Sequence, residues 1–322
     1  MRSRIFAFAG LIALLGACTQ SKLTATQDAG AASAEPSAAA SIPVVATSAS
    51  PPSATEAELI SKRPYRLRTP KGADPAKALP LIVFLHGYGA VPTWFADKTK
   101  VDAASDTERF VAAFPDGTAD SKGKRFWNAT DVCCNFDNAA VDDVAYLRAV
   151  IKDASSKARI DPKRIYVLGY DNGGFMAQRA ACDLADLVAA VVSIGGAGWA
   201  DASKCSPKGR ISILLVHGEG DQTVPYAGGR VKWSADAPEH PGFRQTAADW
   251  AKRNGCGPNT SPMPPVHLDD DLAGSETSVE RYNGCERGAV DLWTRKAKKH
   301  SVGTGERAIH QYASFLFAHP KP

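Results

Sequence analysis

The chain has 322 residues, a formal net charge of +4, and a composition that is 44% hydrophobic and 22% charged. That suits a single globular domain of about 250 residues plus extra segments. The charge is too small to suggest a nucleic-acid partner, the more so because Arg2 and Arg4 lie in a segment expected to be removed.

The N-terminal segment MRSRIFAFAGLIALLGAC places two arginines before an apolar run too short to span a bilayer. Leu15-Gly16-Ala17-Cys18 resembles a bacterial lipobox, which implies cleavage before Cys18 and lipidation of that cysteine. Residues 19–58 are dominated by Ala, Ser, Thr and Pro. They cannot bury enough surface to offset chain entropy and read as a flexible tether. The expected organisation is a signal segment over 1–18, the tether over 19–58 and a folded domain over 59–322. No other long hydrophobic stretch occurs. The protein is therefore expected outside the cytoplasm, on the periplasmic side or cell surface, meeting a membrane only through its lipid.

The chain has seven cysteines. Without Cys18 an even number remains, which suggests disulfides in an oxidising compartment. Spacing alone leaves many connectivities open; the expected set is Cys133–Cys134, Cys182–Cys205 and Cys256–Cys285. No C-x-x-C pair with a nearby histidine accompanies them, so neither a metal nor another cofactor is expected.

In chain order, RPYRLRTP reads as an edge strand, and LPLIVFLHG as a strand buried on both faces. RFVAAFPDG holds a short strand and a turn. VDDVAYLRAVIKDA places Val141, Val144, Leu147, Val150 and Ile151 on one helical face. Asp142 and Asp143 suit the start of that helix as structural acids. Asp161-Pro162 marks a turn before the strand RIYVLG. LVAAVVSIGG and ISILLVHG are further buried strands; ETSVERYNG and AVDLWTR follow, and ERAIHQYASFLFAH is a closing amphipathic helix. Alternating strands and helices imply an α/β fold, a mostly parallel, doubly wound sheet with helices on both faces.

In such sheets functional groups gather where strands end at their carboxyl edge. Four segments end there in polar residues: His86-Gly87-Tyr88-Gly89, then Asp171 in GYDNGG, Asp221 in HGEGDQTVPY, and His300 after VDLWTRKAKK. GYDNGG has the layout of a nucleophile elbow, G-x-S-x-G, with Asp171 at its centre where serine is expected. Neither Ser193 nor Ser301 sits in an elbow pattern that would replace it. His86 and His217 close strands and read as hydrogen-bonded packing residues. The run Arg295-Lys296-Ala297-Lys298-Lys299 reads as a solvated face, or else as a basic rim favouring anionic ligands.

The motifs LHGYGA, FWNATDVCCNFDNAAVDDVAYL, DPKRIYVLGYDNGGFMAQRAAC, HGEGDQTVPYAGG and VDLWTRKAKKHS together cover most of residues 62–318. On these, the domain resembles the secreted polyhydroxybutyrate depolymerase and feruloyl esterase group of α/β-hydrolases. The resemblance implies hydrolysis of carboxylic esters, small or polymeric, by a nucleophile, acid and histidine that match Asp171, Asp221 and His300. It implies oxyanion-hole donors at the N–H groups of Tyr88 and Asn172, and a pocket bordered by His86, Trp127 and Asn128, with Trp127 reading equally well as a core residue. Two features depart from the group: the aspartate at 171, and RKAKK before His300 where glycines are usual.

Asp171 leaves three readings open. A carboxylate needs no activation, yet its attack on an ester would form an anhydride while expelling a more basic alkoxide, so ester hydrolysis would be weak or altered. A carboxylate does displace leaving groups at saturated carbon, as in hydrolases of alkyl halides and epoxides on this fold. Asn172 stands where dehalogenases carry tryptophan, however, and His86-Gly87-Tyr88-Gly89 lacks the HGxP of epoxide hydrolases. Lastly, the carboxylate can sit in the oxyanion hole or pair with protonated His300, leaving a non-catalytic binding protein.

Overall fold

The computed structural model describes residues 53–322 except positions 233, 235, 271, 272, 275, 297 and 304. The expected signal segment, Cys18 and most of the expected tether lie outside the described residues. Helix α1 (Ala54–Lys62) opens on Ser53. The Ser53 hydroxyl accepts from the Glu56 N–H, and the Glu56 carboxylate accepts from the Ser53 N–H at 2.6 Å, a reciprocal cap. This helix straddles the expected 58/59 boundary, so the end of the expected tether is helical, and Leu59 packs against the core.

The chain continues through β1 (Arg66–Arg68), β2 (Leu79–Leu85), α2 (Thr93–Thr99), α3 (Val101–Glu108), β3 (Val111–Phe114) and a small hairpin, β4 (Thr118–Ala119) with β5 (Arg125–Phe126). Then come α4 (Asp143–Lys157), β6 (Ile160–Tyr170), α5 (Asn172–Asp183), β7 (Ala190–Ile194), β8 (Ser212–Gly218) and α6 (Phe243–Arg253). The last elements are β9 (Thr260–Val266), β10 (Thr277–Tyr282), β11 (Val290–Arg295) and α7 (Gly305–Phe317).

The main sheet has nine strands in the order β1-β3-β2-β6-β7-β8-β11-β10-β9. The stretch from β3 to β11 is parallel. β1 closes one edge antiparallel, and the β10–β9 hairpin closes the other. β9 carries Pro262, Pro264 and Pro265. Proline cannot donate to a ladder, which suits an edge and explains why this strand has no apolar-run signature. Side chains alternate between two core layers. Leu81, Val83 and Leu85 face one, with Leu147, Val150, Phe175, Met176 and Trp250 of α4, α5 and α6. Ile82 and Phe84 face the other, with Phe95, Ala104, Ile309 and Leu316 of α2, α3 and α7. Burial on both faces is why the central strands are continuous apolar runs.

Two local expectations are corrected. The Asp142 carboxylate caps α4 by accepting the Ala145 N–H at 2.9 Å, so Val141 lies before the helix rather than on its face. Asp161-Pro162 does not end a strand: β6 runs through it, and the register jumps from Leu79↔Ile160 to Leu81↔Ile165, so residues 161–164 form a bulge. Among the described residues, no helix is long and apolar enough to cross a membrane.

Disulfides join Cys133 to Cys134, Cys182 to Cys205, and Cys256 to Cys285. The second ties α5 to the loop after β7 across a sequence separation of 23. Replacing Cys182 and Cys205 together by serine is expected to lower unfolding free energy by about 2–4 kcal/mol in a urea titration, with unchanged far-UV circular dichroism.

Candidate active site

Because β2, β6, β7, β8 and β11 are parallel, their carboxyl ends share one sheet edge. His86, Asp171, Asp221 and His300 follow four of these ends and are brought to that edge.

Asp171 sits between β6 and α5 with φ 55° and ψ −124°. A non-glycine residue there is strained by roughly 1–3 kcal/mol. The conformation is held by three backbone bonds: the Asp171 N–H donates to Ile194 O (2.9 Å), and its carbonyl accepts from Gly174 (2.7 Å) and Phe175 (3.1 Å). The turn is tight enough that a Cβ on Gly173 would strike the Leu85 carbonyl, hence the glycine.

The turn aims the Asp171 carboxylate at two partners. Oδ2 accepts the Tyr88 N–H at 2.8 Å, and Oδ1 lies 3.1 Å from Nε2 of His300. On the other side of the ring, Nδ1 of His300 lies 2.6 Å from Oδ2 of Asp221. Ionised carboxylates only accept, so both ring nitrogens must carry hydrogen, and the ring is an imidazolium. Burial works against that charge, but the hydrogen bonds and fields of Asp171 and Asp221 outweigh it and raise the His300 pKa to about 9.

Burial also opposes ionisation of Asp221, yet hydrogen bonds from His217 and His300 hold its carboxyl well below the usual range. Its Oδ1 accepts the N–H groups of Thr223 (2.8 Å) and Val224 (2.9 Å). Nε2 of His217 lies 3.2 Å from Oδ2 of Asp221 and 2.8 Å from the Val224 carbonyl, so this histidine supports the acid besides packing. Its position four residues before Asp221 was the only sequence signal for that role.

Tyr88, which presents one expected oxyanion donor, is anchored by its hydroxyl to Asp120 in the β4–β5 turn at 2.5 Å. Asn172, the other expected donor, is the first residue of α5, where helix N–H groups lack internal acceptors. Its side chain clamps the Trp127 backbone, accepting its N–H at 2.6 Å and donating to its carbonyl at 3.0 Å.

His86 and Trp127 do not border an open pocket: both are fully buried. Nδ1 of His86 lies 2.9 Å from the Gly87 carbonyl and its Nε2 accepts the Gly117 N–H, while the Trp127 indole donates to the His86 carbonyl at 2.9 Å. Asn128 is half-buried, held by Asp143 and Val141, and lines a groove of about 420 Å³ with Thr130, Asp131 and Arg179. A cavity of about 540 Å³ lies at the opposite sheet edge beside Ile211 and Ser212. Neither is lined by Asp171, Asp221 or His300. The basic run also divides: Arg295 is buried against Asp269 and Lys298 lies 3.4 Å from the same carboxylate, leaving Lys296 and Lys299 exposed.

The histidine charge sets a pH dependence. Its folded pKa is raised above the ordinary 6.5, so its contribution to stability is complete below about 6.5 and is lost as pH rises through about 9. Histidine NMR should show one ring titrating near 9 in the wild type. In Asp171→Asn its midpoint should fall, and the alkaline loss of stability in urea titrations should shrink.

Comparison with known proteins agrees with this architecture. Residues 69–233 match the phospholipase/carboxylesterase family model, a span that includes Asp171 and Asp221. Feruloyl esterase B of Piromyces equi is 31% identical over 246 residues, covering 74% of this chain and 43% of the relative. A bifunctional acetylxylan esterase/xylanase of Neocallimastix patriciarum is 27% identical, covering 46% of this chain and 20% of the relative. The chain thus spans less than half the length of these relatives. The solved acetyl xylan esterase of Aspergillus awamori superposes with a TM-score of 0.54 at 13% identity, over 79% of this chain and 93% of that one, and shares the fold. The chain, with its parallel sheet and elbow, belongs to the phospholipase/carboxylesterase family of α/β-hydrolases.

Proposed function

We propose that this protein is an exported, ester-recognising hydrolase whose turnover is held low by the carboxylate that replaces its nucleophilic hydroxyl. One observation carries the reading: Asp171 bonds the Tyr88 N–H and His300 at the same time. A serine hydroxyl in that seat would bond the histidine and leave the Tyr88 donor for the substrate carbonyl. The carboxylate fills both places, and it keeps the histidine protonated when the serine mechanism needs it as a base. Export is supported by the N-terminal segment and the paired cysteines. The names of the relatives, feruloyl and acetylxylan esterases, favour an acylated sugar or a related ester as ligand.

Slow hydrolysis by a different route is open to these groups. When an ester carbonyl takes the Tyr88 N–H, the displaced Asp171 carboxylate is a base for water, which attacks the carbonyl carbon. The imidazolium of His300 protonates the departing alkoxide, and the proton on Asp171 returns to the ring. The acid and alcohol leave, and no anhydride forms. General acid–base help of this kind contributes about 10²–10⁴-fold. A second reading is favoured by the Asp171 Oδ2–Tyr88 contact: an alkyl ester formed on Asp171 at saturated carbon would already have its carbonyl oxygen beside a donor.

The decisive substitution is Asp171→Ser, assayed with chromogenic short-chain esters. We expect kcat/KM to rise by at least about 10²-fold, on the scale that triad groups contribute, and His300→Ala in that background to remove the gain. A folded Asp171→Ser variant with no gain would overturn the triad assignment. Incorporation of heavy oxygen from water into the wild-type Asp171 carboxylate, during single turnovers of alkyl halides or epoxides, would establish the second reading instead.

A further inference from the structure

The run before His300 holds a residue whose burial its composition does not suggest. Arg295 ends β11, and its side chain is 1% exposed, as is that of Asp269 at 2%. Asp269 comes from the connection between β9 and β10, at the far edge of the sheet. Nη2 of Arg295 donates to Oδ2 of Asp269 at 2.5 Å. Nη1 donates to the hydroxyl of Ser301 at 2.8 Å and also to the Ser301 carbonyl. Desolvating such a pair costs about as much as the pair returns, so stability alone is a poor account of it. Its geometry supplies another: both Nη1 bonds fall on the residue next to His300.

Other bonds stitch this turn to its neighbours. The Arg295 carbonyl accepts the Glu219 N–H at 3.2 Å, and the Lys298 carbonyl accepts the Gly220 N–H at 2.9 Å, so the turns bearing Asp221 and His300 are joined through backbone. The Tyr170 ring lies 4.9 Å from the His300 ring, and its hydroxyl donates to the His300 carbonyl at 3.3 Å. From the β9–β10 side this turn is held at Ser301 through Arg295, and Lys298 also lies 3.4 Å from Asp269.

We propose that Arg295 is a positioning residue: clamped by Asp269, its guanidinium pins Ser301 and so holds the His300 imidazole between Asp171 and Asp221. Its effect on hydrolysis rests on the function proposed above; its effect on the ring does not. A connection outside the catalytic turns therefore sets the geometry of a catalytic group.

The test uses the full chain. Arg295→Met, combined with Asp269→Asn to avoid leaving a buried charge unpaired, is followed by histidine NMR. The groups facing the ring are Asp171, Asp221 and Tyr170, all retained. Loss of the clamp is expected to move the His300 midpoint down from about 9 toward the ordinary 6.5. In the Asp171→Ser background the same pair should lower kcat by on the order of 10²-fold, with KM within about twofold, as misplacement of a reacting group does. A folded double variant with an unchanged His300 midpoint overturns the proposal. Should the double variant not fold, Arg295→Lys decides: it keeps the charge on Asp269 but lacks the planar fork needed for both partners. A lowered midpoint supports the clamp, and an unchanged one overturns it. If Asp171→Ser proves inactive, the hydrolytic reading fails, and the midpoint in the wild-type background still decides the clamp.

Discussion

The site is organised by a single imidazolium between two carboxylates. Asp221 and Asp171 face opposite nitrogens of His300, at 2.6 and 3.1 Å, with Asp221 buried and His300 and Asp171 partly so. Charge-assisted bonds of this kind are stronger and more directional than neutral ones, and low dielectric strengthens them further. In the serine version of the triad one carboxylate orients a neutral ring, and the ring gains its charge only as it takes the hydroxyl's proton during attack on the carbonyl. Here the second carboxylate supplies the counter-charge in advance. The ring's charged form, which the reaction would otherwise reach transiently, is the resting one.

Much of the surrounding structure serves to hold those charges. The strained backbone of Asp171 is bonded on both sides, to β7 and to the first turn of α5. Asp221 is satisfied by His217 and by two backbone N–H groups before it meets His300. The segment after β2 is anchored through Tyr88 to the β4–β5 turn, and Asn172 ties the start of α5 to Trp127. Fold and family are those of the phospholipase/carboxylesterase group, and fold alone does not fix chemistry.

Several features were legible because they depend on local pattern. A strand buried on both faces has to be apolar throughout, so LPLIVFLHG and ISILLVHG announced themselves, and with them the carboxyl edge where Asp171, Asp221 and His300 meet. The glycines flanking Asp171 signalled a tight turn for a reason the structure makes concrete in the Leu85 carbonyl. Other features left little trace. β9 is rich in proline because it is an edge, which hides it from any apolar periodicity. Helix α1 depends on a cap at Ser53 and on packing of Leu59 rather than on a strong apolar stripe.

Residue order and type alone determined the two-sided, mostly parallel sheet, the tight turn at Asp171, and the placing of Asp171, Asp221 and His300 after strands that share one carboxyl edge. Each is a matter of period or of succession along the chain. The direction of a side chain, and which distant group it meets, was decided only by tertiary packing. Thus packing settles Trp127, which could line a pocket or fill the core, in the core, and Arg295, in a run that reads as solvated, is buried against Asp269. The same holds for the Asp171 carboxylate: a sequence can place it at the elbow, but only the approach of the Tyr88 backbone and the His300 ring from other strands engages both its oxygens. Such contacts join residues far apart in the chain, and no local pattern encodes them.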